Sequence, residues 1–405
     1  MMNAPMTSFS LSRLVTEMQE SATLKMAKLA RELKAQGKDV IDMSLGEPDF
    51  DTPVHIKEAA KKALDDGYTK YTPVNGLLEL REAIVRKFSR ENGLQYNVNE
   101  IVVSNGAKQS VFNICMAVLD PGDEVILPAP YWVSYYEIIK MAGGVPVVCH
   151  SGIEQDFKCT AGQLESLITD RTKFILYSSP CNPSGSVYDY DELKSIAAML
   201  QQYEHVMVVS DEIYEHINFT GHHFSIATMD GMRDRTVVIN GMSKAFSMTG
   251  WRLGYIAAPA WIAEACTKIQ GQVTSGASSF GQKAAAVALD SDLGPTLKMV
   301  EAFHKRRDLI ISLLEQIPML LVNRPQGAFY MLPDVSYYFG KSTAQGQVIR
   351  NADDLSLYLL AEAQVSTVSG VAFGNDRCIR ISYATSEAKI EAAIKRIGAA
   401  LAKLN

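Results

Sequence analysis

Seven short apolar runs between about residues 100 and 260 alternate with longer stretches of helical periodicity. The runs, each bounded by turn residues, read EIVVSN, DEVILPA, VPVVCH, KFILYSS, HVMVVSD, TVVING and GYIAAP. Short runs that are apolar throughout and separated by helices are typical of a mostly parallel sheet covered by helices on both faces. The pattern predicts an α/β domain with a mostly parallel seven-stranded sheet.

The C-terminal part of the chain has a different pattern. A long helix around AFHKRRDLIISLLEQI is followed by a strand in GAFYMLPDV, a further helix, a strand in CIRISYA and a final helix. One face of that final helix is apolar, with Ile390, Ile394, Ile397 and Leu401. This order predicts a smaller α+β domain that begins near residue 300. We assign residues 46–298 to the large domain, and residues 1–45 and 299–405 to the small one.

The segment DTPVHIKEAAKKALDDG precedes the sheet and predicts a helix. Thr52 is its expected cap, Pro53 its expected first residue and Gly67 its expected end.

Composition narrows the class of partner. The 405 residues carry a formal net charge of -6, and charged residues make up 21% of the chain without long runs of one sign. This balance argues against a nucleic-acid or membrane surface and favours a small-molecule partner. The N-terminus lacks the cationic start and apolar core of a signal peptide, and no run reaches the roughly 18 apolar residues of a membrane span. We therefore expect a cytoplasmic protein.

Cysteine and histidine usage gives no sign of a metal site. The six cysteines lie far apart without a C-x-x-C pair, which predicts reduced thiols instead of disulfides or a zinc knuckle. His222 and His223 are adjacent in TGHHFS, but no acidic or thiol residue stands beside them. We expect a solvated loop there and no metal.

Polar residues follow several of the predicted strands, where ligands bind in open α/β sheets. NGAKQS, residues 105–110, follows the first strand and opens an apolar helix, so its free N–H groups offer a phosphate site. A plain turn at Gly106 is the alternative. In PCNPSG, Asn182 lies between two prolines, which is also compatible with a simple turn.

Two further strand ends carry charges. Asp211 ends an apolar strand in SDEIYE, with Tyr214 three residues later. Lys244 lies on the turn after RTVVI, and Arg252 follows beside Gly250 and Trp251. A carboxylate in such surroundings is costly to desolvate unless a cation pairs with it.

Pyridoxal phosphate explains this set of residues. That cofactor needs a lysine amine for a Schiff base, an acid beside its ring nitrogen, and helix-end N–H groups with an arginine for its phosphate. Each motif is weak alone, but their order at successive strand ends is specific.

The chain resembles the class I aminotransferases of the fold-type I pyridoxal-phosphate family, and among them the aspartate aminotransferases of the bacterial and plastid type. The resemblance covers nearly the whole chain. Its motifs are SATLKMAKLARELKAQGKDVIDMSLGEPDFDTP, YTPVNGLLELREAI, SNGAKQS, PAPYWVSYYE, NPSG, SDEIYEH, SKAFSMTGWRLGY and CIRISYATS.

The resemblance implies a role for each matching residue. Lys244 matches the Schiff-base lysine and Asp211 the partner of the pyridinium nitrogen. Tyr214 and Asn182 match the donors to the ring oxygen, and Trp132 the aromatic residue stacked on the ring.

The phosphate of the cofactor has its own matching residues. Gly106, Ala107, Lys108, Ser243 and Arg252 resemble its cradle. Tyr71 resembles the residue that reaches the phosphate of the neighbouring subunit, which implies a homodimer with shared active sites.

Arg380 matches the arginine that binds the substrate α-carboxylate, helped by Gly46. The alternation in CIRISYA agrees, because it places Ile379 and Ile381 on one face and Arg380 on the other. An arginine can hold a carboxylate through two parallel N–H bonds. The alternative is a surface salt bridge.

The implied reaction transfers the amino group of an amino acid to a 2-oxo acid. In the resembled subgroup, a lysine on the phosphate turn and a hydroxyl near the N-terminus bind the distal carboxylate of the substrate. Lys108, Ser21 and Thr23 match these residues. Aspartate with 2-oxoglutarate is the expected pair, with prephenate, or an aromatic substrate, as the alternative.

Rival classes fit less well. The sequence lacks G-x-G-x-x-G after a strand and also lacks G-x-x-x-x-G-K-[ST], which argues against a dehydrogenase and a nucleotide-phosphate loop. A β-lyase that uses the same cofactor stays open, although the distal-carboxylate residues argue against it. A transcription factor would need a DNA-binding domain, for which about 40 residues before SLGEPDF leave no room.

The resemblance also implies two cis peptide bonds, Ala129-Pro130 and Asn182-Pro183. Only about 5% of X-Pro bonds are cis. Two at one site is therefore a specific expectation.

Overall fold

The computed structural model of the chain describes residues 10–405. Its strands are β1 (Ile41–Asp42), β2 (Ile101–Ser104), β3 (Glu124–Ala129), β4 (Val145–His150), β5 (Thr172–Ser178), β6 (Met207–Asp211), β7 (Thr236–Gly241), β8 (Gly254–Ala257), β9 (Tyr330–Met331), β10 (Val365–Ser366), β11 (Val368–Ser369) and β12 (Ile379–Ser382). Its α-helices are α1 (Arg13–Glu17), α2 (Ala22–Ala35), α3 (Val54–Asp65), α4 (Leu78–Lys87), α5 (Ala107–Val118), α6 (Ser134–Met141), α7 (Ala161–Glu165), α8 (Tyr190–Leu200), α9 (Ala260–Val273), α10 (Ser279–Asp290), α11 (Gly294–Leu314), α12 (Ala352–Tyr358) and α13 (Glu387–Leu401).

The predicted seven-stranded sheet is confirmed. Its strand order is β2-β8-β7-β6-β5-β3-β4, and every pair is parallel except the two that β8 makes with β2 and β7. Ser178 pairs with Asp211, and Asp211 pairs with Ile239. The carboxyl ends of β5, β6 and β7 therefore lie side by side at one edge of the sheet.

Helices cover both faces of this sheet. Phe174 and Leu176 of β5 pack into a cluster with α5, α6 and α9, whereas Ile175 packs on the other face with α8. Next to it, α4 and α10 cover Val103 and Val238. Because side chains alternate between faces and both faces are buried, the strands need to be apolar throughout.

The C-terminal part is a smaller α+β unit, as predicted. β11, β12 and β9 form an antiparallel sheet, and β1 pairs in parallel with β10. All four residues predicted for the apolar face of the final helix are buried in α13. We propose the domain division 46–298 against 1–45 with 299–405, supported by the pairing of β1 with β10. The proposed boundary falls inside α11.

One local prediction was wrong, and a second holds over a shorter span than expected. α3 begins at Val54 with Pro53 as its cap, and the hydroxyl of Thr52 donates to the carbonyl of Ser247 (2.7 Å) instead of capping the helix. The predicted strand in GAFYMLPDV contracts to Tyr330–Met331, because only these two residues pair with β12. For Thr52, a tertiary partner outcompetes the local preference.

A buried charge network lies beneath the segment that follows β6. Glu215 accepts hydrogen bonds from Lys87 and from Asn240 Nδ2 (2.7 Å). His223, which we expected in a solvated loop, instead has a side chain only 9% exposed, and its Nε2 lies 2.9 Å from Glu212 Oε2. The missed neighbour is Glu212, eleven residues earlier in the chain.

Two clusters in this network have metal-like spacing, Glu91–Glu215–His216 and Glu212–Glu215–His223. Lys87 already pairs with the Glu215 carboxylate that both clusters share.

All six cysteines are free and buried. Within residues 10–405, no helix combines the length and the apolar character needed to cross a membrane.

Candidate active site

A cavity of about 370 Å³ opens at the carboxyl edge of the central sheet. It brings together all the predicted site residues except Gly106 and Tyr71. The predicted residues that line it are Ser21, Thr23, Gly46, Ala107, Lys108, Trp132, Asn182, Asp211, Tyr214, Ser243, Lys244, Arg252 and Arg380. They come from segments more than 350 residues apart in the chain, from α2 to β12.

Lys244 supplies the amine of the cavity. It follows β7 by three residues, and its Nζ donates to the carbonyl of Gly46 (2.5 Å). Burial, helped by Arg380 and Arg252 and opposed by Glu47 and Asp211, lowers the pKa of Lys244 to about 8. An amine with such a pKa is partly neutral near pH 7, so it can act as a nucleophile or a base.

Asp211 supplies a buried carboxylate at the end of β6, where only 3% of the residue is exposed. Its Oδ1 accepts from the backbone N–H of Ile213 (3.2 Å), and its Oδ2 accepts from the hydroxyl of Tyr135 (2.6 Å). Burial raises the pKa of Asp211 to about 6, although both hydrogen bonds lower it. In the described part of the chain, no lysine or arginine forms an ion pair with this carboxylate. A cationic ligand in the cavity would therefore be stabilised here.

Arg380 is a buried cation with unused hydrogen-bonding capacity. Its Nη1 donates to Asn182 Oδ1 (2.9 Å) and its Nη2 to the carbonyl of Ser44 (2.5 Å). The guanidinium stacks between the rings of Tyr330 and Phe373, 4.6 and 4.9 Å away. Its Nε has no acceptor among the described residues, and none of their carboxylates pairs with it. The geometry suits a ligand carboxylate.

An anion-binding corner forms where α5 begins. Gly106 has φ +85°, and a Cβ on it would lie 2.3 Å from Arg252 Nη2. A Cβ on Gly254 of β8 would lie equally close to the backbone N of Ala107. Arg252 itself has the unusual φ of +55° for a residue with a side chain. These close approaches place a guanidinium beside the free N–H groups of a helix N-terminus, an arrangement suited to phosphate.

Lys108, Trp132 and Thr23 form another part of the cavity wall. Lys108 Nζ lies 5.1 Å from the centre of the Trp132 ring, and partial burial and Arg252 lower the pKa of Lys108. The hydroxyl of Thr23 is buried and has no hydrogen-bond partner in residues 10–405. Ser21 caps the same helix, α2.

Sequence reasoning missed two tyrosines of the cavity. The hydroxyl of Tyr330 lies 2.7 Å from the hydroxyl of Tyr214. A Cβ added at Gly46 would lie only 2.5 Å from the same Tyr330 hydroxyl. Tyr135 binds Asp211, as described above. Tyr135 stands three residues after Trp132 in WVSYYE, but Trp132 precedes α6, so no helical periodicity in the sequence marked it.

Tyr71 lies outside the cavity of its own chain. It is 98% exposed and borders a separate depression of about 470 Å³, together with residues 69–72 and 276–280. That Tyr71 reaches the phosphate in a neighbouring subunit stays a prediction.

One of the two predicted cis bonds was wrong. Ala129-Pro130 is cis, as expected, but the second cis bond is Ser179-Pro180 and not Asn182-Pro183. Two prolines flank Asn182 in SPCNPSG, and the resemblance was carried over to the wrong one of them.

Comparison with known proteins agrees with this geometry. Residues 38–397 match the family model of aminotransferase class I and II. The chain therefore belongs to the class I and II aminotransferases, and it is a transaminase by family.

Similar proteins within that family are more specific. A bifunctional aspartate aminotransferase and glutamate/aspartate-prephenate aminotransferase of Petunia hybrida is 46% identical over 97% of this chain and 83% of its own. The crystal structure of the aspartate aminotransferase from Rhizobium meliloti superposes with a TM-score of 0.95, at 43% identity, over 98% of this chain and 100% of that one. The aspartate aminotransferase from Thermus thermophilus with maleate gives a TM-score of 0.91 at 40% identity, over 97% of this chain and 100% of that one.

Asp211→Asn is predicted to stabilise the cofactor-free protein, because burial of an ionised carboxylate opposes folding. The rise in the pKa of Asp211 from near 4 to about 6 corresponds to about 3 kcal/mol of unfolding free energy at pH 8. Since the pKa of Asp211 is higher in the folded state than in the unfolded state, this destabilisation becomes smaller as the pH is lowered. It is about half as large at pH 5 as at pH 8. Thermal unfolding of both proteins at the two pH values measures the difference. An equal effect at both would contradict the assignment of an ionised, buried Asp211.

Proposed function

We propose that the protein is a pyridoxal-phosphate-dependent aspartate aminotransferase that transfers the amino group of aspartate to 2-oxoglutarate. Prephenate is the alternative or additional amino acceptor. The observation that carries the proposal is the cavity in which Lys244, Asp211 and Arg380 face one space, with no ion-pair partner for either Asp211 or Arg380 among residues 10–405. The names of the similar proteins support the same substrates.

The residues of the cavity fit pyridoxal phosphate. The cofactor is an aldehyde that bears a phosphate and a ring nitrogen, and it supplies an electron sink for the bond-breaking step at the substrate Cα. Lys244 would hold the aldehyde carbon, Asp211 the ring nitrogen, and Arg252 with the start of α5 the phosphate. Two observations favour this fit: no lysine or arginine of residues 10–405 pairs with the Asp211 carboxylate, and the N-terminus of α5 has no side-chain cap.

Arg380 and Asn182 orient the substrate in this proposal. The guanidinium, fixed by two aromatic rings and by Ser44, would bind the α-carboxylate through its remaining N–H groups. Gly46 lets the backbone approach closely, since any side chain there would clash with Tyr330. An amino acid held this way can present its Cα–H to Lys244.

Lys244 moves the proton. With a pKa lowered to about 8 by burial, its amine can accept a proton from the substrate Cα and return it later. Asp211, ionised once a cation faces it, would keep a proton on the ring nitrogen. Tyr214 would donate to the ring oxygen, and Trp132 would stack on the ring.

Lys244 is predicted to carry the cofactor covalently. Borohydride reduction of the yellow protein, followed by peptide mapping, is expected to place the label on the peptide that holds Lys244. Lys108, which lines the same cavity, is the internal control. Lys244→Ala is expected to abolish transfer from aspartate to 2-oxoglutarate, in an assay with a panel of amino donors, while leaving the fold intact. Label on another lysine would overturn the assignment.

The side chain of the substrate is assigned from Lys108 and Thr23. Lys108 is the second residue of α5, so its backbone N–H can serve the phosphate while its amine lies above Trp132 within the cavity. A second carboxylate placed near that amine would also meet the unpartnered Thr23 hydroxyl. A dicarboxylic substrate is therefore favoured, in line with the maleate in the structure of the Thermus thermophilus relative.

Lys108→Met should cost dicarboxylic substrates at least about thirtyfold in kcat/KM, because loss of a charged partner costs about 2 to 5 kcal/mol. Aspartate, glutamate and any prephenate activity should fall together. Turnover of alanine and phenylalanine, which lack the second carboxylate, is the matched control and should change little. Equal small losses on all these donors would mean that Lys108 serves only the phosphate.

We also propose a homodimer with shared active sites. Its support is Tyr71, which is nearly fully exposed and distant from the cavity of its own chain. Apolar side chains are exposed on the surrounding helices, as expected for a covered surface; they are Val54, Leu64, Leu78 and Phe280. A cytoplasmic location stays an expectation.

Hybrid dimers test the sharing of sites. Lys244→Ala and Tyr71→Ala are each expected to impair the homodimer. In a hybrid of the two, one site combines Lys244 of one chain with Tyr71 of the other, so activity should return to about half of the normal value per dimer. Hybrids as weak as the Tyr71→Ala homodimer would show that the tyrosine does not cross between subunits.

A further inference from the structure

Tyr135 contacts two residues of the cavity at once. Its hydroxyl donates to Asp211 Oδ2 (2.6 Å), and its ring meets the Trp132 ring edge to face, with centroids 5.4 Å apart at 87°. The residue is 0% exposed and lies in α6, which follows the cis bond at Pro130. A single side chain thus links the predicted stacking ring to the predicted acid.

We propose that Tyr135 is a positioning residue that fixes the orientation of the Asp211 carboxylate and keeps it ionised against a cationic ring nitrogen. This inference rests on the proposed function. Asp211 Oδ1 is directed by the N–H of Ile213 and Oδ2 by the Tyr135 hydroxyl, so two donors define the carboxylate plane. Its remaining lone pairs are available to the cavity that Asp211 lines.

The chemistry of the hydroxyl suits this role. Burial and the adjacent carboxylate raise the pKa of Tyr135 far above its ordinary value, so the hydroxyl remains a donor across the neutral range. A hydrogen bond to a charged group stabilises the charged form. Without it, burial alone would leave the Asp211 carboxyl protonated at higher pH, and it would then donate a proton instead of pairing with a cation.

The titratable groups that face Tyr135 and Asp211 are Glu212, Tyr214, Cys181 and Lys244. All of them stay in place in Tyr135→Phe, which removes one oxygen and keeps the edge-to-face contact with Trp132. The variant therefore isolates the hydroxyl.

Unfolding of the full-length chain without cofactor provides a readout that does not depend on activity. Loss of this charge-assisted hydrogen bond should raise the pKa of Asp211 by about one to two pH units. The unfolding equilibrium constant of Tyr135→Phe should rise roughly ten- to fiftyfold at pH 8 and change little at pH 5, where Asp211 is protonated in both proteins.

Two controls separate this role from simple packing. In an Asp211→Asn background, Tyr135→Phe should lose its pH-dependent effect. Tyr96→Phe is the matched control, because the buried Tyr96 hydroxyl has no hydrogen-bond partner among residues 10–405 and should be neutral at both pH values.

The holoenzyme gives the second readout. The acid limb of kcat/KM for aspartate should move up by about one to two pH units in Tyr135→Phe, with the plateau at high pH largely kept. Equal destabilisation at pH 5 and pH 8, persistence of the effect in Asp211→Asn, or an unmoved acid limb would each overturn the proposal. If the proposed function were wrong, aspartate turnover and labelling of Lys244 would fail, while the unfolding result would still stand.

Discussion

The burial of opposite charges without partners at one sheet edge is the constraint on which the cavity depends. Asp211 and Arg380 are 3% and 2% exposed, yet neither has an ion-pair partner in the described chain. Such groups destabilise a protein until a ligand of complementary charge arrives. Binding of such a ligand therefore relieves a destabilisation that is built into the fold. Burial in the same cavity lowers the pKa of Lys244 to about 8.

A buried hydrogen-bond network beneath the cavity helps to hold these unpaired charges in place. Beneath the cavity, Glu215 binds both Lys87 of α4 and Asn240 of β7. Asn240 Oδ1 in turn accepts the N–H of Gly241 (2.7 Å), just before the turn that holds Lys244. The network thus connects the segment after Asp211 to the segment before Lys244. Buried, fully paired charges of this kind favour one arrangement over others.

Close backbone approach completes the arrangement. Gly106 and Gly254 let the start of α5, the β8 strand and the Arg252 side chain meet within distances that any Cβ would prevent. Arg252 adopts a left-handed backbone, which a residue with a side chain rarely does without support from its surroundings. The close backbone packing at the two glycines thus places the Arg252 guanidinium at the start of α5, in the anion-binding corner of the cavity.

The sequence alone determined the sheet, its covering helices and most of the cavity. Apolar runs identify strands, and chemistry-bearing residues at strand ends meet because parallel strands share a carboxyl edge. It could not reveal Tyr135 or Tyr330, nor the burial of His223, because each depends on a partner distant in the chain: Asp211, Tyr214 and Glu212. Local pattern likewise could not show that Thr52 binds the turn after Lys244 instead of capping α3. Only tertiary packing decided these contacts, since a hydrogen bond between distant segments leaves no periodic trace in the sequence.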